Sequence, residues 1–245
     1  MTLTSSTSGT NVHEIADGIY RISTPIAPAG MSGGFTFNQF LVVDRDPLLF
    51  HTGPRRLFPL VREAVEHVLG NVTRLRYVGF SHVEADECGS LNDWLAAAPR
   101  AEPVCSTIAA MTSVDDLADR PPRPLRDGEE LALGEKRVRW LDAPNLPHNW
   151  ECGYLFERTT RSLLCGDVLS HAGGAELPPL TESDVLGPSE ALRAAMGGVA
   201  IEKDTRALLE KLAATEPTTL ALMHGSSYRG PGGPLLLALA DALGV

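Results

Sequence analysis

The segment Ser81-His82-Val83-Glu84-Ala85-Asp86-Glu87-Cys88-Gly89-Ser90-Leu91 sets an imidazole and two carboxylates at alternate positions, with a further carboxylate directly after the last of them. The apolar run Leu75 to Phe80 before it reads as a strand, and Gly89 to Ala98 after it reads as a helix. If the motif runs as an extended loop, side chains two apart point the same way, and His82, Glu84 and Asp86 converge on one small volume. Carboxylates held that closely repel one another, and a metal ion is the natural counter-charge. Taken alone, the stretch also reads as a polar loop opening a helix, with Asp86 or Glu87 as its cap.

Further along the chain, other ligand-type residues each follow an apolar run. His148, in Leu146-Pro147-His148-Asn149-Trp150, comes shortly after Val138 to Leu141; Asp167 closes Ser162 to Asp167; His224 closes Thr219 to His224. The end of a strand is where a sheet presents its loops, and sites are commonly built there. Together these residues supply three imidazoles and three carboxylates, enough for two metals.

The order His82-x-Glu84-x-Asp86, His148, Asp167, His224 resembles the diiron domain of flavodiiron proteins, a branch of the metallo-β-lactamase superfamily. The dipeptides Gly166-Asp167 and His224-Gly225 fit the same pattern, as do the 19 positions from His148 to Asp167. The resemblance runs from about Ile15 to Val245. It implies an α+β fold, a four-layer αβ/βα sandwich of two mixed β-sheets flanked by helices. It also implies two non-haem iron ions, with His82, Glu84 and His148 on one, Asp86 and His224 on the other, and Asp167 bridging. The activity implied is binding of dioxygen or nitric oxide, and its reduction where a donor supplies electrons.

Two positions separate this chain from its relatives. Hydrolytic members of the superfamily carry His-x-His-x-Asp-His, whereas here Glu84 takes the second ligand position, the mark of the diiron branch. Glu87 then stands where that branch commonly has histidine; it binds the second metal, holds a water on it, or turns away at the start of the helix. Mixed imidazoles and hard carboxylates suit iron or manganese, while zinc sites lean toward His and Cys. Two other functions use the same scaffold: a dizinc or dimanganese hydrolase of a small ester, thioester or phosphoester, and a non-catalytic dioxygen sensor. The flavodoxin-like domain that follows this one in flavodiiron proteins is not expected within these residues. No flavin is then bound by this chain, which resembles the stand-alone oxygen-binding diiron proteins. Electrons come from a separate donor of flavodoxin, rubredoxin or flavin-reductase type. A homodimer is the expected assembly.

Composition adds exclusions. The 245 residues carry 43% hydrophobic side chains and a net charge of −10, with no basic stripe to track a phosphate backbone. Nucleic acid is not an expected partner. No apolar run reaches a membrane span, and a cytoplasmic protein is expected. Cys88, Cys105, Cys152 and Cys165 form no Cys-x-x-Cys pair and read as free, packed thiols. Residues 1–12 are rich in Ser and Thr and read as a flexible tail, with one domain over 13–245.

Strands are expected at Ile19 to Ser23, Phe35 to Val43 and Pro47 to His51, then a helix from Leu57 to Val68 stopped by Gly70. The proline-rich stretch Asp119 to Asp127 breaks regular structure, and His171 to Pro188 reads as a long loop able to cover the metals. Strands follow around Leu131, Arg137, Tyr154 and Ser162, with helices near Ser189 to Met196, Asp204 to Ala214 and Leu235 to Leu243. Three residues have roles left open. His51 is a candidate supporting residue or a structural hydrogen-bonding partner. His171 reaches a bound ligand or is a solvated loop histidine. Tyr228, four residues past His224, is a candidate hydroxyl donor to a ligand on the metals.

Overall fold

The computed structural model describes residues 1–27, 33–196 and 201–245. Eight strands form one sheet in chain order: β1 (Thr2–Leu3), β2 (Asn11–Ala16), β3 (Ile19–Ile26), β4 (Phe35–Val42), β5 (Leu48–Phe50), β6 (Tyr77–Gly79), β7 (Glu102–Ser106) and β8 (Arg123–Leu125). Pairing is antiparallel from β1 to β5 and parallel from β5 to β8. The second sheet holds β9 (Glu130–Ala132), β10 (Arg137–Asp142), β11 (Gly153–Glu157), β12 (Ser162–Leu164), β13 (Leu180–Thr181), β14 (Thr219–Ala221) and β15 (Ser227–Arg229), in the order β13-β15-β14-β12-β11-β10-β9. It too is mixed, with parallel pairing of β12 to β14 and of β13 to β15.

The period-two alternation of the strands creates three apolar layers. Phe40, Val42, Leu48, Phe50, Leu155, Leu164 and Ala221 meet between the sheets. Their neighbours Leu41 and Leu49 face the opposite way, toward helices α1 (Phe58–Leu69), α2 (Ala85–Cys88), α3 (Leu91–Ala97) and α4 (Thr107–Ala109), where Val61, Val65, Trp94 and Ala109 pack. A π-helical turn links α4 to α5 (Asp115–Leu117). On the far side Leu163, Leu220 and Leu222 pack against α7 (Thr205–Ala213) and α8 (Gly232–Leu243), which follow α6 (Leu186–Met196). Helix, sheet, sheet, helix is the four-layer α+β sandwich expected. Gly70 ends α1 at φ 75, a left-handed turn that glycine enters without penalty, and its N–H caps Glu66 O.

Three expectations are corrected. Residues 1–12 do not form a loose tail: β1 pairs with Asn11 and Val12, and the buried Thr10 hydroxyl bonds that of Thr24 at 3.1 Å. The hydroxyl-rich composition that suggests disorder supplies the polar contacts of this turn. The proline-rich stretch contains β8, which tolerates Pro124 because it lies at the sheet edge, where one side of the strand needs no ladder. The expected loop from His171 to Pro188 contains β13 and the first turn of α6. Among the described residues, no helix is long and apolar enough to cross a membrane.

Gly153 illustrates how tightly the inner strands are filled. A Cβ there would lie 2.3 Å from the Trp140 ring, which is buried and anchored by its indole N–H donating to Asp142 Oδ1 at 2.7 Å. Gly153→Ala is expected to destabilise the protein by about 1–3 kcal/mol, the usual cost of overpacking. Urea unfolding measures this; an unchanged midpoint would show that the Trp140 ring yields freely.

Candidate metal centre

Four strand ends deliver the cluster. His82 follows β6, His148 lies in the β10–β11 connection, Asp167 follows β12 and His224 follows β14. Two groups of contacts result. In the first, Glu84 Oε2 lies 3.1 Å from His82 Nε2 and 3.0 Å from His148 Nε2, and the two nitrogens are 3.0 Å apart. In the second, His224 Nε2 lies 3.3 Å from both Asp86 Oδ2 and Asp167 Oδ1. Asp167 faces both groups with different oxygens, since its Oδ2 is 3.8 Å from His82 Nε2 and 3.7 Å from His148 Nε2.

Glu87 completes the arrangement from beneath. Its side chain is fully buried, one oxygen lies 3.8 Å from His82 Nε2, and neither oxygen has a hydrogen-bond partner. A carboxylate so placed is costly without a compensating charge. Burial, then the charges of Asp167 and Asp86, raises its carboxyl well above the ordinary range.

Each imidazole is aimed by its other nitrogen. His224 donates Nδ1–H to the Thr36 carbonyl at 2.7 Å and stacks on Phe35 at a 4.1 Å centroid distance, which turns its Nε2 toward the carboxylates. His82 Nδ1 is 2.9 Å from Ser81 Oγ, which in turn lies 3.1 Å from His51 Nε2. His51 is buried and burial lowers it to about 3, so this ring is neutral and can accept from the Ser81 hydroxyl. The serine can then accept from His82 Nδ1–H, which frees His82 Nε2 for the centre. The motif loop is pinned by Glu151, whose Oε1 accepts the Val83 N–H at 3.0 Å.

Without a cation, the imidazoles serve as the counter-charge. Hydrogen bonds from His148 and His82 hold Glu84 down at about 2. Burial opposes charging of His224, yet hydrogen bonds to Asp167 and Asp86 push it up to about 10. The donor set nevertheless fits metal ions. Two imidazole nitrogens 3.0 Å apart, both facing one carboxylate oxygen, have the spacing of neighbouring ligands on a common cation with bonds of about 2.1 Å. His82, Glu84 and His148 form one group that could hold a metal; His82, Glu87 and Asp167 form another, and Glu84, Asp86 and Glu87 a third. The cluster lies at the floor of a chamber of about 550 Å³.

Six of the candidate ligands thus come together, and Glu87 joins them. His171 does not: it is buried, accepts the Ser226 N–H at 2.9 Å through Nε2 and contacts the Leu169 carbonyl at 3.2 Å through Nδ1, so both nitrogens are held by backbone. Tyr228 does not reach the centre either. It lies on β15, with its hydroxyl against Gly230, and is absent from the chamber wall. Thr36 and Glu151, which aim and pin the site, carry no sequence signal, because one acts through its carbonyl and the other through a backbone N–H. Cys88 sits beside the motif, but burial pushes its thiol up to about 11, and all four cysteines are free.

Residues 35–196 match the family described as ODP family beta lactamase. Among curated relatives, diflavin flavoprotein A 2 of Nostoc sp. is 27% identical over 142 residues, covering 57% of this chain and 24% of its own length. Diflavin flavoprotein A 1 of Thermosynechococcus vestitus is 28% identical over 162 residues, covering 64% of this chain and 28% of its own. The chain therefore spans about a quarter of the length of these relatives. Among solved structures, the metal-soaked Flv1 flavodiiron core of Synechocystis sp. superposes with a TM-score of 0.80 at 19% identity, over 96% of this chain and 61% of that one. A mutant flavo di-iron protein of Thermotoga maritima gives 0.82 at 18% identity, over 96% and 63%. These likenesses show the fold, the four-layer metallo-β-lactamase sandwich.

Glu87→Gln removes the charge that burial disfavours. A raised carboxyl costs nothing below its unfolded value of about 4.3 and progressively more as pH rises above it. The chelated, metal-free variant is therefore expected to be more stable than wild type at pH 7, with the difference closing toward pH 4. Urea unfolding across that range checks it; equal stability at pH 7 would show that the Glu87 charge is already compensated.

Proposed function

Since this chain belongs to the ODP family of β-lactamase-fold proteins, we propose that it is a non-haem diiron protein that binds dioxygen or nitric oxide and, with electrons from a separate donor protein, reduces it. The observation that carries this reading is the carboxylate Glu84 seated between His82 and His148 at 3.1 and 3.0 Å. An imidazole there would suit a zinc hydrolase; a hard anionic oxygen favours iron and a higher charge on it.

In this reading His82, Glu84 and His148 would hold one ion and Asp86 and His224 the other, with Asp167 facing both groups. Glu87 serves the same region from the buried side. Two iron ions held by these groups would supply the electrons and the open positions that a diatomic gas requires. The protein's own part is orientation and charge. The Ser81–His51 pair and the Thr36 carbonyl fix which nitrogen of His82 and His224 faces the centre, and the four carboxylates offset the cations. Phe35, stacked on His224, shields one face of that ring from solvent.

Glu84→Gln keeps the size of the side chain and removes its charge. Ferric iron should be held at least about tenfold less tightly, since even outer partners of metal ligands shift affinity by that order. Glu84→His should move preference toward zinc. Iron-to-zinc ratios and anaerobic reoxidation rates of wild type and both variants read this out. If neither changes, Glu84 does not ligate the metal, and the case for redox chemistry over hydrolysis loses its main support.

A further inference from the structure

The chamber above the metal centre is far larger than a diatomic gas needs. Its volume is about 550 Å³, whereas one small molecule such as water occupies about 30 Å³ of liquid. Cavities of about 300–1,000 Å³ are those that accept organic ligands. The walls match that class: Phe35 and Phe37 from β4, Leu192 and Met196 from α6, and Leu239 and Leu243 from α8 line it, all apolar. Water gains little from such a surface, while an apolar guest gains by leaving water.

Charge sets the guest's direction. The floor carboxylates Glu84, Asp86 and Asp167 are already matched by His148 and His224, or by the ions they would hold, so the floor offers a guest no unmatched charge. Away from the floor, two arginines line the chamber, Arg56 and Arg193. Arg193 is engaged by Glu190. Arg56 is exposed and has no salt-bridge partner among the described residues.

We propose that this chamber binds an elongated apolar carboxylate, its anionic end at Arg56 and its chain between the β4 phenylalanines and the leucines of α6 and α8. This deepens the diiron reading by giving the same site an organic ligand in addition to a gas. It rests on that reading only for what lies at the floor. The helix α6 is then a wall of the binding chamber, taking the place of the loop expected to cover the metals.

Isothermal titration with dodecanoate, below its micelle concentration, tests the proposal on the purified protein, with metal content per chain measured on the same samples. Wild type should bind one dodecanoate per chain saturably, and hexanoate should bind much more weakly. Dodecanol, or dodecanoate with Arg56→Ala, should bind about three- to fivefold more weakly, the size of a solvent-accessible ion pair. Leu192→Trp, which enlarges a half-buried side chain of the chamber wall, should abolish binding while leaving the circular dichroism unchanged. Absence of dodecanoate binding to wild type, or equal binding by Leu192→Trp, overturns the proposal. Metal without dodecanoate binding refutes the chamber reading alone; dodecanoate binding without metal supports the chamber and refutes the diiron reading.

Discussion

Four carboxylates gathered around three imidazoles in one half-enclosed volume is the constraint on which this structure turns. Glu87 states it most sharply, being fully buried with both oxygens unpartnered beside His82. As a bare anion such a group would cost several kcal/mol, roughly, even after relaxation, and without a cation its carboxyl is raised well above the ordinary range. The same sites raise His224 to about 10 and hold Glu84 at about 2, so protons on the imidazoles do the neutralising that cations would do. Metal binding must then displace those protons, which couples loading to pH in the direction of weaker retention in acid.

The sandwich is what makes the gathering feasible. Strand alternation fills the inter-sheet layer with Phe40, Phe50, Trp140 and Leu155, which leaves the strand ends rigid. From those ends, loops of the first sheet bring His82, Glu84, Asp86 and Glu87, and loops of the second bring His148, Asp167 and His224. Backbone of one sheet also aims a ligand of the other, since Thr36 in β4 holds His224. The centre is therefore a junction between the two halves, and its geometry depends on their packing. Above it the apolar walls of β4, α6 and α8 enclose a space whose chemistry differs sharply from that of its floor.

Much of this was legible in the sequence, and the reason is local. The ligand segments follow apolar runs, Asp167 and His224 closing theirs and His82 and His148 coming shortly after theirs, and alternation at His82, Glu84 and Asp86 survives folding because Glu84 is extended, at φ −141 and ψ 161, before α2 begins. Glu87 is open between three roles in the sequence, because its burial and its contact with His82 depend on the turn of α2. His171 and Tyr228 misled for one reason: nearness in sequence to Asp167 and His224 says nothing about direction. His171 turns into backbone at Leu169 and Ser226, and Tyr228 sets its hydroxyl against Gly230. The β1–β2 pairing and the edge strand β8 were hidden by composition, since Ser, Thr and Pro weaken the strand signal without preventing pairing at an edge.

The cluster is proposed to hold two iron ions. Anomalous diffraction at the iron absorption edge, from crystals of protein isolated without added metal, tests it most directly. Two iron peaks are expected, one against His82, Glu84 and His148 and one against Asp86 and His224, with Asp167 between them. Zinc in both positions, or no metal and imidazoles hydrogen-bonded directly to the carboxylates, would contradict it.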